Sequence, residues 1–154
     1  MANLSLAAIL RLMRAQSFVE ARVDPGLGAV HGLAGVIGGT ADVPHGLACA
    51  ALLAPVTAAN VRALRSGPPG HPALGRYAEA ARLLTGSPAA SIEDGLTWIR
   101  ETVSLLAVPG LAAFGIGPQD AADIAAKAAS SSSMQGNPVA LTHSDLSAVV
   151  HQAL

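Results

Sequence analysis

The sequence predicts an all-α fold, a multi-helix bundle of about seven helices, and three observations lead there. Apolar residues recur at spacings of three and four along most of the 154 residues, no alternating strand pattern of useful length occurs, and glycine or proline separates segments of helical length. The length allows one domain with a sizeable core.

Leu6, Ile9, Leu10, Met13 and Val19 set the first helix, over residues 1–24, which ends before Asp24 and Pro25 because the residue preceding a proline is pushed out of helical geometry. A second helix is expected from Gly28 to Ile37. Its glycines cost about 1 kcal/mol each relative to alanine, so packing has to compensate. The third starts at Pro44, a residue favoured in a first turn, and runs to Arg65 with Pro55 as an expected kink. Ser66 to Pro72, SGPPGHP, breaks the chain. Helices follow over Ala73–Leu84, Ser91–Leu106 and Pro118–Ser130. The last runs from Thr142 to the C-terminus, with Thr142 capping the first turn and Asp145 answering three residues later.

Charge and composition exclude several functions. Nine Lys and Arg face ten Asp and Glu, and only four aromatic residues occur, so the chain has neither a basic field for phosphates nor a stacking platform for bases. No nucleic acid partner is expected. Cys49, the single cysteine, sits in the apolar run HGLACAALL, where a thiol behaves as a small buried hydrophobe and fits a reducing cytoplasm. Val43 to Val61 carries no Asp, Glu, Lys or Arg and approaches the length of a membrane span. Its alanine bulk, its His45, Pro55, Thr57 and Asn60, and the lack of Trp or Tyr at its ends favour a buried helix over a membrane. Arg11 and Arg14 follow the apolar Leu4–Leu10 instead of preceding it, which is the wrong order for an export signal.

The densest feature is PGLGAVHGLAGVIGGTADVPH, residues 25–45, where six glycines surround His31 and His45. Gly28, Gly32, Gly35 and Gly39 recur on one helical face and would let another backbone approach; a phosphate cradle is disfavoured, because no Lys-Ser or Lys-Thr follows. His31 and His45 stand fourteen apart, which matches no local metal motif, so hydrogen-bonded packing and metal ligation both remain open. His71, His143 and His151 read as solvent-facing. Trp98 reads as core, Ser130–Ser133 as a fraying helix end, and Asp42 as either a helix cap or an acceptor orienting an imidazole.

The register PGLGAVHGLAGVIGGTADVPHGLACAALLAPVTAANVRAL, followed by SSMQGNPVALTHSDL at Ser132–Leu146, resembles the C-terminal helical domain of the iron-containing, NAD(P)-dependent alcohol dehydrogenases. The likeness covers residues 25–154 and is weak over 1–24. It implies a helical metal-side domain in which His31 and His45 are two of four ligands, an aspartate and three histidines, to a divalent metal, Fe(II) or Zn(II). That metal binds an alcohol oxygen as a Lewis acid while hydride passes to nicotinamide. The aspartate and the first histidine belong to a preceding segment, as does the α/β cofactor domain; neither has a counterpart in this sequence. The resemblance therefore assigns no catalytic or cofactor-binding residue here, and two histidines alone hold metal weakly, being short of the three protein ligands of a catalytic zinc site. Many members carry a further histidine where this chain has Gly35.

The resemblance thus implies the metal-binding half of an oxidoreductase acting on a small alcohol or aldehyde, inactive by itself, with NAD(P) bound only through the missing domain as its partner. The alternative it leaves is a non-catalytic helical binding or assembly module. An apolar face left uncovered would then favour self-association into a homo-oligomer.

Overall fold

The computed structural model describes residues 28–154, and the helix expected over residues 1–24 lies outside the described residues. Six α-helices fill the remainder: α1 Gly28–Thr40, α2 His45–Ser66, α3 Pro72–Thr85, α4 Ile92–Leu105, α5 Ala121–Ala129 and α6 His143–Gln152. Short 3-10 turns at Leu111–Phe114, Pro118–Asp120 and Ser132–Gly136 join the later helices. The segment expected to form one helix from Pro118 is therefore divided. Pro118–Asp120 is a 3-10 turn closed by Gly117 N–H donating to the Asp120 carboxylate at 2.8 Å, and the α-helix begins only at Ala121.

Local chemistry sets most of the ends. His71 caps α3 by accepting from Ala73 N–H at 3.2 Å, Pro72 fills the first turn, and Gly86 closes the helix in the left-handed conformation, φ 73°. Ser91 and Asp94 form a capping box at α4, and Thr142 and Asp145 form the expected one at α6. The Ser91 hydroxyl holds the Asp94 carboxyl below the usual carboxylate range, and the Thr142 hydroxyl does the same for Asp145. α2 starts one residue later than expected, with Pro44 as its flanking residue, and runs unbroken through Pro55.

α2 is long and apolar enough to cross a membrane, but it is the central helix of this bundle, with half of its apolar window buried. It packs against α1, α3, α4 and α6. The main core joins α1, α2, α5 and α6. Leu33, Ile37, Leu52, Leu111, Ile124, Leu146, Val149 and Val150 are the large side chains sealed inside it. Burial of Leu33 and Ile37, worth about 1.5–3 kcal/mol each, offsets the glycines of α1. A smaller cluster of Ala54, Leu84 and Ile99, with Trp98 and Val103 against it, seats α3 and α4 on the other side of α2, so Trp98 is a packing residue. α3 and α4 touch where Gly95 faces Ala81; a Cβ at Gly95 would lie 2.6 Å from that of Ala81.

One buried polar node ties the bundle together. Asn60 on α2 is 3% exposed and exchanges two hydrogen bonds with Asn137, its Nδ2 donating at 3.1 Å and its Oδ1 accepting at 2.7 Å. Asn60 Nδ2 also donates to the Tyr77 hydroxyl at 3.0 Å. Asn137 in turn donates to the Val139 carbonyl at 2.7 Å and accepts from Ala29 N–H at 3.1 Å. That last bond satisfies an amide at the start of α1, where helix geometry leaves donors without partners. Its consequence is positional: the first turn of α1 is held against α2.

The glycine face of α1 brings another backbone close only at its start, where a Cβ at Gly28 would lie 3.8 Å from the Asn137 backbone and 3.9 Å from the Gly136 carbonyl. Gly32 packs on the Met134 side chain, which a Cβ would meet at 3.2 Å, while Gly35 and Gly39 face open space. The serines at the end of α5 turn as expected: Ser130 ends the helix, and Ser131 accepts from Ser133 N–H at 3.3 Å to start the next 3-10 turn.

Candidate metal centre

His31 lies near the start of α1, on the turn that Asn137 anchors, and His45 is the first residue of α2. Packing of α1 on α2 brings the two rings together, with centroids 5.3 Å apart and a tilt of 32°. His31 Nδ1 and His45 Nε2 are 3.1 Å apart, so one ring donates a hydrogen bond to the other. A tetrahedral centre with metal–nitrogen bonds of about 2.0–2.1 Å sets neighbouring nitrogens about 3.3 Å apart. The pair fits a divalent metal with only a small adjustment.

A third group meets them. Cys49 stands four residues after His45 and so shares its face of α2; its Sγ lies 3.4 Å from His45 Nε2 and 3.9 Å from His31 Nδ1. Among the described residues, His31, His45 and Cys49 form the one group of three side chains able to hold a metal ion. Cys49 is half-buried, and that burial pushes its thiol above its ordinary pKa. The expectation that Cys49 is merely a buried hydrophobe misses this contact. The signal was present as a four-residue His-x-x-x-Cys spacing within one helix.

The notch is open on its outer side. His45 and its neighbour Gly46 are exposed, as is Gly35, one turn beyond His31, and a Cβ at either glycine would touch nothing within 4 Å. Two surface grooves, of about 170 and 390 Å³, are lined by residues other than the histidines. Asp42 is exposed and the first turn of α2 has no side-chain cap, so Asp42 takes neither role considered for it.

The remaining histidines have local structural partners or none near the notch. His71 is the α3 cap, and His143, exposed as expected, also donates from Nε2 to the Ala122 carbonyl at 2.9 Å, linking α6 to α5. His151 is exposed on the last turn of α6.

Residues 20–154 match the family model for the Fe-containing alcohol dehydrogenase family, C-terminal. Among solved structures, a 1,3-propanediol oxidoreductase is 25% identical with a TM-score of 0.71. An alcohol dehydrogenase from Oenococcus oeni is also 25% identical, with a TM-score of 0.66. Each match covers 82% of this chain and 32% of the other, so the chain corresponds to about a third of those structures' length. No curated protein matches the chain.

Proposed function

Because the chain belongs to the Fe-containing alcohol dehydrogenase family, as its C-terminal all-helical part, we propose that it is the metal-side domain of a cytoplasmic oxidoreductase. The reaction is hydride transfer between a small alcohol or aldehyde and NAD(P), carried out together with a cofactor-binding domain. One observation carries this reading: His31 and His45 converge to 3.1 Å within a family-matching register.

His31 and His45 hold the divalent metal, Fe(II) or Zn(II), whose chemistry is to polarise the alcohol or carbonyl oxygen. The Asn60–Asn137 node fixes the turn that carries His31 and so sets the distance between the two imidazoles. The open space at Gly35 and Gly46 admits a substrate or nicotinamide close to the rings. Ligand pockets usually bury most of their ligand, and this notch has one open side. A second domain supplies the facing wall, and the chain alone does not turn over.

The test is an assay of NAD(P)-dependent alcohol oxidation with and without a fused cofactor domain from a family member, in the presence of Fe(II) or Zn(II). Activity that appears only in the fusion and is lost in His31→Ala supports the proposal. Activity indifferent to His31→Ala, or none in a folded, metal-loaded fusion, counts against it.

A second reading, a non-catalytic assembly module, draws on Leu105 and Leu106, which are 53% and 49% exposed at the end of α4. A monomer in gel filtration would remove it.

A further inference from the structure

We propose that Cys49 is the third protein ligand of a His2Cys metal site, complete within this chain and suited to zinc. The inference rests on the metal role proposed for His31 and His45, and goes beyond it by adding a thiolate. Two histidines alone fall short of the three protein ligands usual in a catalytic zinc site; with Cys49 the number is met and one position stays open.

The geometry carries the argument. Zinc–nitrogen bonds of about 2.0–2.1 Å and a zinc–sulfur bond of about 2.3 Å at tetrahedral angles place nitrogen and sulfur about 3.6 Å apart. Cys49 Sγ lies 3.4 Å from one imidazole nitrogen and 3.9 Å from the other, while the nitrogens are 3.1 Å apart. All three edges of the triangle thus lie within about 0.3 Å of those that a tetrahedral zinc requires. A thiol placed only to pack would need to approach neither nitrogen, yet this one approaches both.

The helical spacing makes the arrangement robust. His45 and Cys49 are one turn apart on α2, so their relation is fixed by helix geometry, and only His31 depends on tertiary packing. On coordination the Cys49 Sγ–H bond is replaced by a metal–sulfur bond and the proton leaves to solvent. Thiolate ligation shifts preference toward thiophilic ions such as zinc. The open fourth position, on the side of Gly35 and Gly46, takes water or a substrate oxygen.

Cobalt(II) titration of the full chain under anaerobic, thiol-free reducing conditions reads the ligand directly, because a cysteine thiolate gives an intense near-ultraviolet sulfur-to-cobalt charge-transfer band. The native chain is expected to take up one cobalt with that band. Cys49→Ser should lose the band and bind zinc at least about tenfold more weakly, a loss that removal of a supporting group alone can cause. Matching unfolding curves of the two metal-free proteins would establish that the variant is folded; the native spectrum decides the question independently of it. Cobalt bound without the charge-transfer band overturns the role of Cys49 and leaves the histidine pair standing. No cobalt uptake at all overturns the three-ligand site, and the histidine pair is then decided by metal uptake in the cofactor-domain fusion.

Discussion

Replacing Asn137 by alanine should loosen the bundle and the metal notch together. The side chain makes four hydrogen bonds, to Ala29 N–H, to the Val139 carbonyl and twice to Asn60, which is only 3% exposed. At about 0.5–1.5 kcal/mol net for each bond, and allowing for water entering beside the half-buried loop, the expected loss is about 3 kcal/mol. For a chain of this length that corresponds to roughly 6–12 °C in melting temperature. Urea unfolding followed by circular dichroism measures it as a lower midpoint at constant slope. Asn60→Ala should cost a similar amount, and the double variant should show a coupling of about 1–3 kcal/mol, since both residues serve one node. Zinc affinity should fall in parallel, because the first turn of α1 carries His31. A loss below about 1 kcal/mol, with additive single effects, would refute the claim that this node holds α1 in place.

Four further outcomes follow from single features. Gly95→Ala places a Cβ 2.6 Å from Ala81 and should destabilise by about 1–3 kcal/mol in the same unfolding assay, while Gly75→Ala, whose Cβ meets nothing, should not destabilise. Ala107 has φ 50°, so Ala107→Gly should raise stability by up to about 1 kcal/mol; a fall would show that the residue is not strained. Thr142→Ala removes the α6 cap and should cost about 1 kcal/mol at neutral pH. The Asp145 carboxyl is held below its unfolded value by Thr142, so its contribution is present above about pH 4 and fades as pH falls through the lower folded value. The difference between Asp145→Asn and the native chain should therefore shrink on acidification, measured as urea midpoints from pH 7 downward.

The helices were legible in the sequence wherever local chemistry sets them. Thr142 and Asp145 announce a capping box, and the SGPPGHP break announces a helix just beyond it, because caps and breaks act over a few residues, although its last residue, Pro72, proves to be the first of α3. Pro118 misled, since a proline suits the first turn of a 3-10 segment as well as that of an α-helix. The histidine pair was only half legible. His31 and His45 come together through the packing of two helices, so their fourteen-residue spacing has no local meaning and only the family-like register pointed to them. Cys49 was overlooked for the opposite reason. Its spacing from His45 is a local signal, but its apolar neighbours Leu47, Ala48 and Ala50 suggest a buried thiol, and the proximity of His31 that gives the spacing its meaning is tertiary. Asn60 and Asn137 lie 77 residues apart, and no local rule joins them.

The central claim is that His31 and His45 form one metal site, and stoichiometric titration with Zn(II) tests it most directly. The native chain should bind one equivalent, and His31→Ala and His45→Ala should each abolish or greatly weaken that binding while remaining folded by circular dichroism. Equal uptake by all three proteins would contradict the account.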